Sequence, residues 1–353
     1  MLINIVSGES LMRSLLRKFI LIFLPIALIA SIFLSVAMGS VNIGVEKVWG
    51  ILLSNVGIPI PVTWTEGERA IVLVLRFPRA IAAIVVGGML GIAGVAAQGL
   101  FKNPIAEPYI IGISSAAGFG TAMTLSLGLY FLGMFTSPII SFTTAILAIG
   151  IIYKLSQTRY RLSMSALLLS GIAISFFFSA LTSFLLYTSE EQIHYIMYNL
   201  MGSFWGVTWT EVYILFSIFV FGIISLFYLG RDLNLMVFGD ETAQTTGVNV
   251  ERSKKWILLI MTVLTSVTVA FCGSIGFVGL IIPHLMRFIV GSNHRALIPA
   301  TGIAGGILLL WADVLARTLI APLEIPVGIF TALLGGPFFV YLVLKRKKEG
   351  EFA

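Results

Sequence analysis

Residues 108–153 run for 46 positions without an Asp, Glu, Lys or Arg. A helix needs about 20 apolar residues to cross ~30 Å of hydrocarbon, so this one stretch is long enough for two crossings. Its turn is expected between Gly128 and Pro138, where Gly and Pro punctuate the run. Further charge-free runs cover 80–101, 162–189, 212–230, 256–286, 296–312 and 325–344. Composition agrees: 58% of residues are hydrophobic and 11% charged, with a mean hydropathy of +1.03. A soluble domain is closer to half apolar and about a quarter charged. Lipid is therefore the solvent for most of this chain, and the fold class is an all-α polytopic membrane protein.

The 31-residue run 256–286 is ambiguous: one tilted helix, or a helix, a break at Gly273–Gly276 and a second helix. Positive charge decides between them. Ten spans with a cytoplasmic N-terminus put Arg13, Arg17, Lys18, Lys102, Lys154, Arg159, Arg161, Arg231, Arg252, Lys254, Lys255, Arg287, Arg295, Lys345, Arg346, Lys347 and Lys348 inside, 17 of the 22 Lys and Arg. Nine spans would turn the Lys345–Lys348 cluster outward. The expected spans are 17–39, 70–98, 109–127, 131–153, 163–187, 210–230, 254–272, 275–292, 297–318 and 327–345, with both termini cytoplasmic. The basic N-terminus followed by an apolar run looks like a signal peptide, but 27 uncharged residues between Lys18 and Glu46 read better as the first span. The segment 40–68 reads as an ordered outer connection, and 188–208, with Tyr195, Tyr198 and Trp205, as a second outer element. The whole of 1–353 reads as a single transmembrane domain.

Several chemistries lack their residues. The dipeptide Gly-Lys never occurs, which removes the G-x-x-x-x-G-K-[ST] phosphate loop. There is no G-x-S-x-G elbow, no H-E-x-x-H pair and no C-x-x-C, and Cys272 is the one cysteine. His194, His284 and His294 are scattered, so neither a catalytic nor a metal site is expected, and no cofactor. Span interiors hold almost no ionisable groups beyond Asp313 and His284, which argues against an ion-coupled secondary transporter, the main rival reading. A membrane-embedded enzyme lacks its cluster of nucleophile, base and metal ligands. Gly87 and Gly91 form a small-xxx-small step suited to close helix packing.

Two places remain. The inner loop 231–255 mixes apolar Leu233, Leu235, Met236, Val237 and Phe238 with a charged, Thr-rich stretch. Two short helices joined near Gly239–Asp240 fit it, the second capped by Asp240 and ended by Gly247. It reads as a docking surface or as a solvated connector, and exposed apolar residues favour docking. At the outer side, Arg76 and Arg79 flank Phe77-Pro78 against the positive-inside bias, with Arg317 at the outer end of the ninth span. They either snorkel to headgroups or form a basic patch for a partner.

From about residue 69 onward the sequence resembles the FecCD family of permeases, which serve ATP-driven importers of iron-siderophores, haem and cobalamin. The matching motifs are Arg76-Phe-Pro-Arg79, Asn103-Pro-Ile-Ala-Glu-Pro108 leading to Gly112-Ile-Ser-Ser115, Gly239-Asp-Glu-Thr-Ala-Gln-Thr-Thr-Gly247, and Gly276-Phe-Val-Gly-Leu-Ile-Ile-Pro-His284 with Arg287 and His294-Arg295. Ala312-Asp-Val-Leu-Ala-Arg317, Glu324-Ile-Pro-Val-Gly328 and Gly335-Gly-Pro337 follow in order. The resemblance implies a type II ABC importer permease fold with ten spans. It implies a second permease copy as partner, expected as a homodimer, together with two cytoplasmic ABC ATPase subunits and an extracytoplasmic substrate-binding protein. Membrane lipid surrounds the assembly, and no nucleic acid is expected. It makes Leu233, Leu235, Met236, Phe238, Gly239, Asp240, Glu241, Ala243 and Gly247 the ATPase-coupling residues. Arg76, Arg79 and Arg317 become the contacts for carboxylates on the binding protein. The path would lie at the two-fold interface, lined partly by the fifth and tenth spans. The resemblance names no substrate residues and leaves the chelate open.

Overall fold

The computed structural model describes residue 20, residues 22–39, 41, 43–158 and 161–348. Arg13, Arg17, Lys18 and Arg159 of the inner-charge argument lie outside the described residues. The described residues form thirteen α-helices: α1 Ile22–Ala37, α2 Val45–Asn55, α3 Glu66–Leu100, α4 Ile113–Ser126, α5 Thr136–Ser156, α6 Met164–Thr188, α7 Ile193–Leu200, α8 Trp209–Met236, α9 Asp240–Thr245, α10 Val250–Cys272, α11 Val278–Val290, α12 His294–Thr318 and α13 Val327–Lys348. A two-residue hairpin, Gln157–Thr158 with Arg161–Leu162, joins α5 to α6.

A helix occupies each of the ten expected span positions. Seven of them (α3, α5, α6, α8, α10, α12 and α13) are long and apolar enough to cross a bilayer. Of the other three, α4 has 14 residues and α11 has 13, and α1 is described over Ile22–Ala37. At α4 and α11 the apolar stretch is divided between a short helix and irregular backbone. A 3₁₀ turn at Pro108–Ile111 and a left-handed Gly112 precede α4. The expected break precedes α11, with Gly273 at φ +71 and Phe277 at φ +67. Irregular backbone inside a bundle leaves N–H groups that a helix would have satisfied. Here the two irregular stretches satisfy each other. The Ile275 N–H donates to the Tyr109 hydroxyl (3.3 Å), and the Phe277 N–H donates to Glu107 Oε1 (2.5 Å).

The centre of the bundle is α3, 89% of whose apolar window is buried, whereas α6, at 11%, faces outward. In lipid, helices gain little by hiding apolar surface from one another, so close packing of small residues does the work. The glycines of α3 serve that end. A Cβ at Gly87 would lie 2.3 Å from the Gly305 carbonyl oxygen of α12, and one at Gly94 would lie 1.9 Å from that of Gly279 on α11.

Two boundaries differ from the sequence reading. The outer connection 40–68 contains α2, whose Val48, Ile51 and Leu52 recur at helical spacing and are buried. The second difference is in α3, which begins at Glu66 behind a capping box of Thr65 and Glu68, so Pro78 sits well inside the helix rather than at its start. Proline removes an N–H and crowds the carbonyl four residues back. A widened π-helical stretch at Ile71–Arg76 immediately before Pro78 absorbs both defects.

Candidate functional site

The two groups of residues named from sequence lie at opposite ends of α3. At one end α8 continues unbroken through Leu233 and Met236, both buried. The first of the two expected short helices is therefore the last turns of α8. No proline lies between Leu229 and Met236, and Leu233 and Met236 share a buried face. Leu235 packs partly buried against the core. Val237 and Phe238 are then turned outward, Phe238 being 76% exposed. Gly239, at φ +115, reverses the chain into α9. Ala243 is buried beneath α9, Glu241 is exposed, and Gly247 at φ +87 leads away.

Asp240 is the junction of this end. It accepts from Lys102 Nζ (2.8 Å), just beyond α3, and from Lys254 Nζ (2.5 Å) on α10. Partial burial raises its carboxyl, but the two lysine hydrogen bonds outweigh that and hold it below the usual aspartate range. Beside Val237 opens a cleft of about 550 Å³ lined by Gln98, Lys102, Arg287 and Phe288.

At the other end the three arginines come together, largely buried. Arg79 donates from Nε and Nη2 to Asp313 (2.9–3.1 Å) and from Nη1 to Glu324 (2.8 Å). Its side chain is 12% exposed and that of Asp313 is 1%. Arg317 pairs with the other face of Asp313 (3.4 Å) and donates to the Ser35 carbonyl (2.7 Å). Arg76 donates to the carbonyls of Val36 (3.0 Å), Ala37 (3.1 Å) and Val41. The last carbonyls of a helix have no partner within it and carry partial negative charge. Arg76 and Arg317 thus cap the C-terminus of α1 and lash it to α3 and α12. Asp313 is held by two guanidinium groups, so it is not free to take a coupling ion.

Sequence reasoning singled out Asp313 without its partners, and found Glu324 and Lys102 without their roles. The available signal was local charge balance: arginines on the side that positive charge avoids call for carboxylates nearby. Beside Glu324 a cleft of about 660 Å³ is lined by Tyr195, Tyr198, Trp205 and Asn199, which brings together the aromatic residues of the second outer element.

Comparison with known proteins agrees with this architecture. The model of the FecCD transport family matches residues 27–345. The hemin transport system permease protein HmuU of Yersinia pestis is 35% identical, over 93% of this chain and 96% of its own. The cobalamin import system permease protein BtuC of Halobacterium salinarum is 37% identical, over 85% of this chain and 80% of its own. A solved metal-chelate type ABC transporter in an inward-facing conformation superposes with a TM-score of 0.81 at 32% identity, covering 93% of this chain and 99% of that one. In helix order, in the glycine-packed centre and in the motifs at both ends of α3, the chain is a multi-pass membrane permease and belongs to the FecCD transport family.

Proposed function

We propose that residues 1–353 act as one membrane-spanning domain of an ATP-driven importer, carrying a metal chelate such as a ferric siderophore, haem or cobalamin inward. The observation that carries this reading is the whole-chain match to a metal-chelate type transporter, taken with the exposed Val237–Phe238 turn. The chain performs no bond chemistry. Two separate cytoplasmic ATPase subunits hydrolyse ATP, a second copy of the permease completes the path, and an extracytoplasmic binding protein delivers cargo. Both termini are cytoplasmic in this arrangement, because it puts the larger share of Lys and Arg inside.

The turn of α8 into α9 seats in the ATPase. Val237 and Phe238 supply unburied apolar surface, and Glu241 a rim charge. Closure of the ATPase pair pulls on Asp240 and, through Lys102 and Lys254, on α3 and α10 together. At the opposite end Arg79 meets a carboxylate of the binding protein. Arg76 and Arg317 are spent on α1, so the partner's acid reaches Arg79 by displacing Glu324, the more exposed of its two acids at 30%.

The test is purification of the tagged chain from native membranes in mild detergent, with mass spectrometry of what accompanies it. A stoichiometric ABC ATPase, lost when Asp240 and Glu241 are reversed in charge, is the expected result. A chain that brings down no ATPase in several detergents overturns the reading.

A further inference from the structure

Glu107 is a carboxylate on the stretch joining α3 to α4, and neither end of α3 accounts for it. Its Oε1 receives the Phe277 N–H at 2.5 Å. Phe277 is a non-glycine residue at φ +67, a conformation an L side chain rarely adopts unless its surroundings hold it there. Its ring is wedged against α13: a Cβ at Gly335 would lie 2.0 Å from Phe277 Cγ. Phe277, Ile105, Phe338 and Phe339 all pack against one buried cluster of Leu280, Ile281 and Leu342. At the other end of the stretch Lys102, also in the left-handed region at φ +51, is bonded to Asp240. The short segment 102–107 therefore connects the α8–α9 turn to the break before α11 and, through the Phe277 ring, to α13.

We propose that Glu107 is a positioning residue of the transport cycle: its carboxylate holds the Phe277 N–H and with it the wedge on α13, and taking up a proton loosens the hold. This inference rests on the ATP-driven reading above. An ionised acceptor binds an N–H about twice as strongly as a neutral one, so the proton is an effective release. Burial raises the Glu107 carboxyl to about 7, against the lowering effect of the Phe277 N–H. The titratable groups sharing its surroundings are Tyr109 on the same stretch and Cys272 at the end of α10. The faces that α11 and α13 bring here are largely apolar, Leu280 from the first and Phe338 and Phe339 from the second, with the titratable ring of His284 on α11 packed edge-on against Phe338 (5.9 Å). The hold is full only well above pH 7, is half released near that value and fades as pH falls through it. The linked folding contribution runs the other way: a carboxyl raised above its unfolded value favours the folded state at low pH and loses that contribution as pH rises through about 7.

Two measurements on the full chain test the proposal. Backbone hydrogen exchange of the 273–278 segment at pH 8 reads the hold directly. Glu107→Ala should speed exchange about tenfold or more, and Glu107→Gln, which keeps a neutral acceptor, should fall between it and the native chain. ATP hydrolysis by the liposome-reconstituted complex, read from pH 6 to 8.5 without cargo, should show an inflection near 7 that Glu107→Gln abolishes. Unchanged exchange in Glu107→Ala overturns the hold. An inflection retained in Glu107→Gln overturns the role of its proton. If no ATPase accompanies the chain, the proposed function fails and the cycle role with it, while the exchange experiment still decides whether Glu107 holds Phe277.

Discussion

The two charge clusters along α3, at Arg79 and just beyond Leu100 and about 30 Å apart along the helix, use charge in opposite ways. At Arg79 the ions are buried and every guanidinium is held from more than one side: by two carboxylates, by a carboxylate and a carbonyl, or by the end of α1. At Asp240 the carboxylate is 37% exposed and two lysines share it. Buried ions are costly to desolvate and costly to strand, so that end behaves as a rigid clasp. Lys102 is 39% exposed, so its pair contributes little stability and rearranges readily, while the buried Lys254 keeps Glu251 as a second acid (3.4 Å). In the ATP-driven reading proposed above, a compliant joint belongs where the motor attaches and a fixed frame far from it. The difference in burial supplies both from the same few residue types.

The comparison breaks most directly at Asp313. Asp313→Ala strands Arg79 and Arg317 and should cost about 3–5 kcal/mol, seen as a large fall in the thermal midpoint of the detergent-purified protein. A loss below about 1 kcal/mol would mean that water reaches this network and that the clasp is no more rigid than the other end. Next in size is the tie to α1. Arg76→Ala leaves three carbonyls without a charged donor and should cost about 1.5–3 kcal/mol, with α1 becoming the first site of limited proteolysis. At the Asp240 end, Asp240→Asn should change stability by about 0–1 kcal/mol while weakening ATPase retention on purification. If it destabilises the isolated chain as strongly as Asp313→Ala, the two ends do not differ in kind. The smallest effect is that of solution conditions. Molar salt should loosen the Lys102–Asp240–Lys254 junction and leave the Arg79 network intact, as read by hydrogen exchange at α9 against α12. Acid should act likewise: the Asp240 carboxyl is depressed, so its contribution holds through neutral pH and is lost only as pH falls below the ordinary aspartate value of about 4.

Much of this architecture was legible in the order of residues. Charge-free runs located the ten helices, and the Gly273–Gly276 break and the Gly128–Pro138 turn fall where glycine and proline suggested. Gly87 was read correctly as a packing residue. The start of α3 was less legible. A motif with proline two residues from its first arginine looks like a helix beginning, and only the capping box at Thr65 with the widened turn behind Pro78 explains why the helix starts earlier. The arginines were noticed because they violate a charge bias, but their partners were not. Asp313 and Glu324 lie 234 and 245 residues further along the chain.

The sequence by itself determined what the solvent is, where helices form and where they break, because hydropathy and helix-breaking are properties of neighbouring residues. Tertiary structure alone decided which charges are frame and which are joint. Whether Arg79 faces a partner or a buried Asp313, and whether Glu107 meets water or the Phe277 N–H, depends on contacts between distant segments. The energy of an ion or a hydrogen bond is set by those contacts and by the dielectric around them.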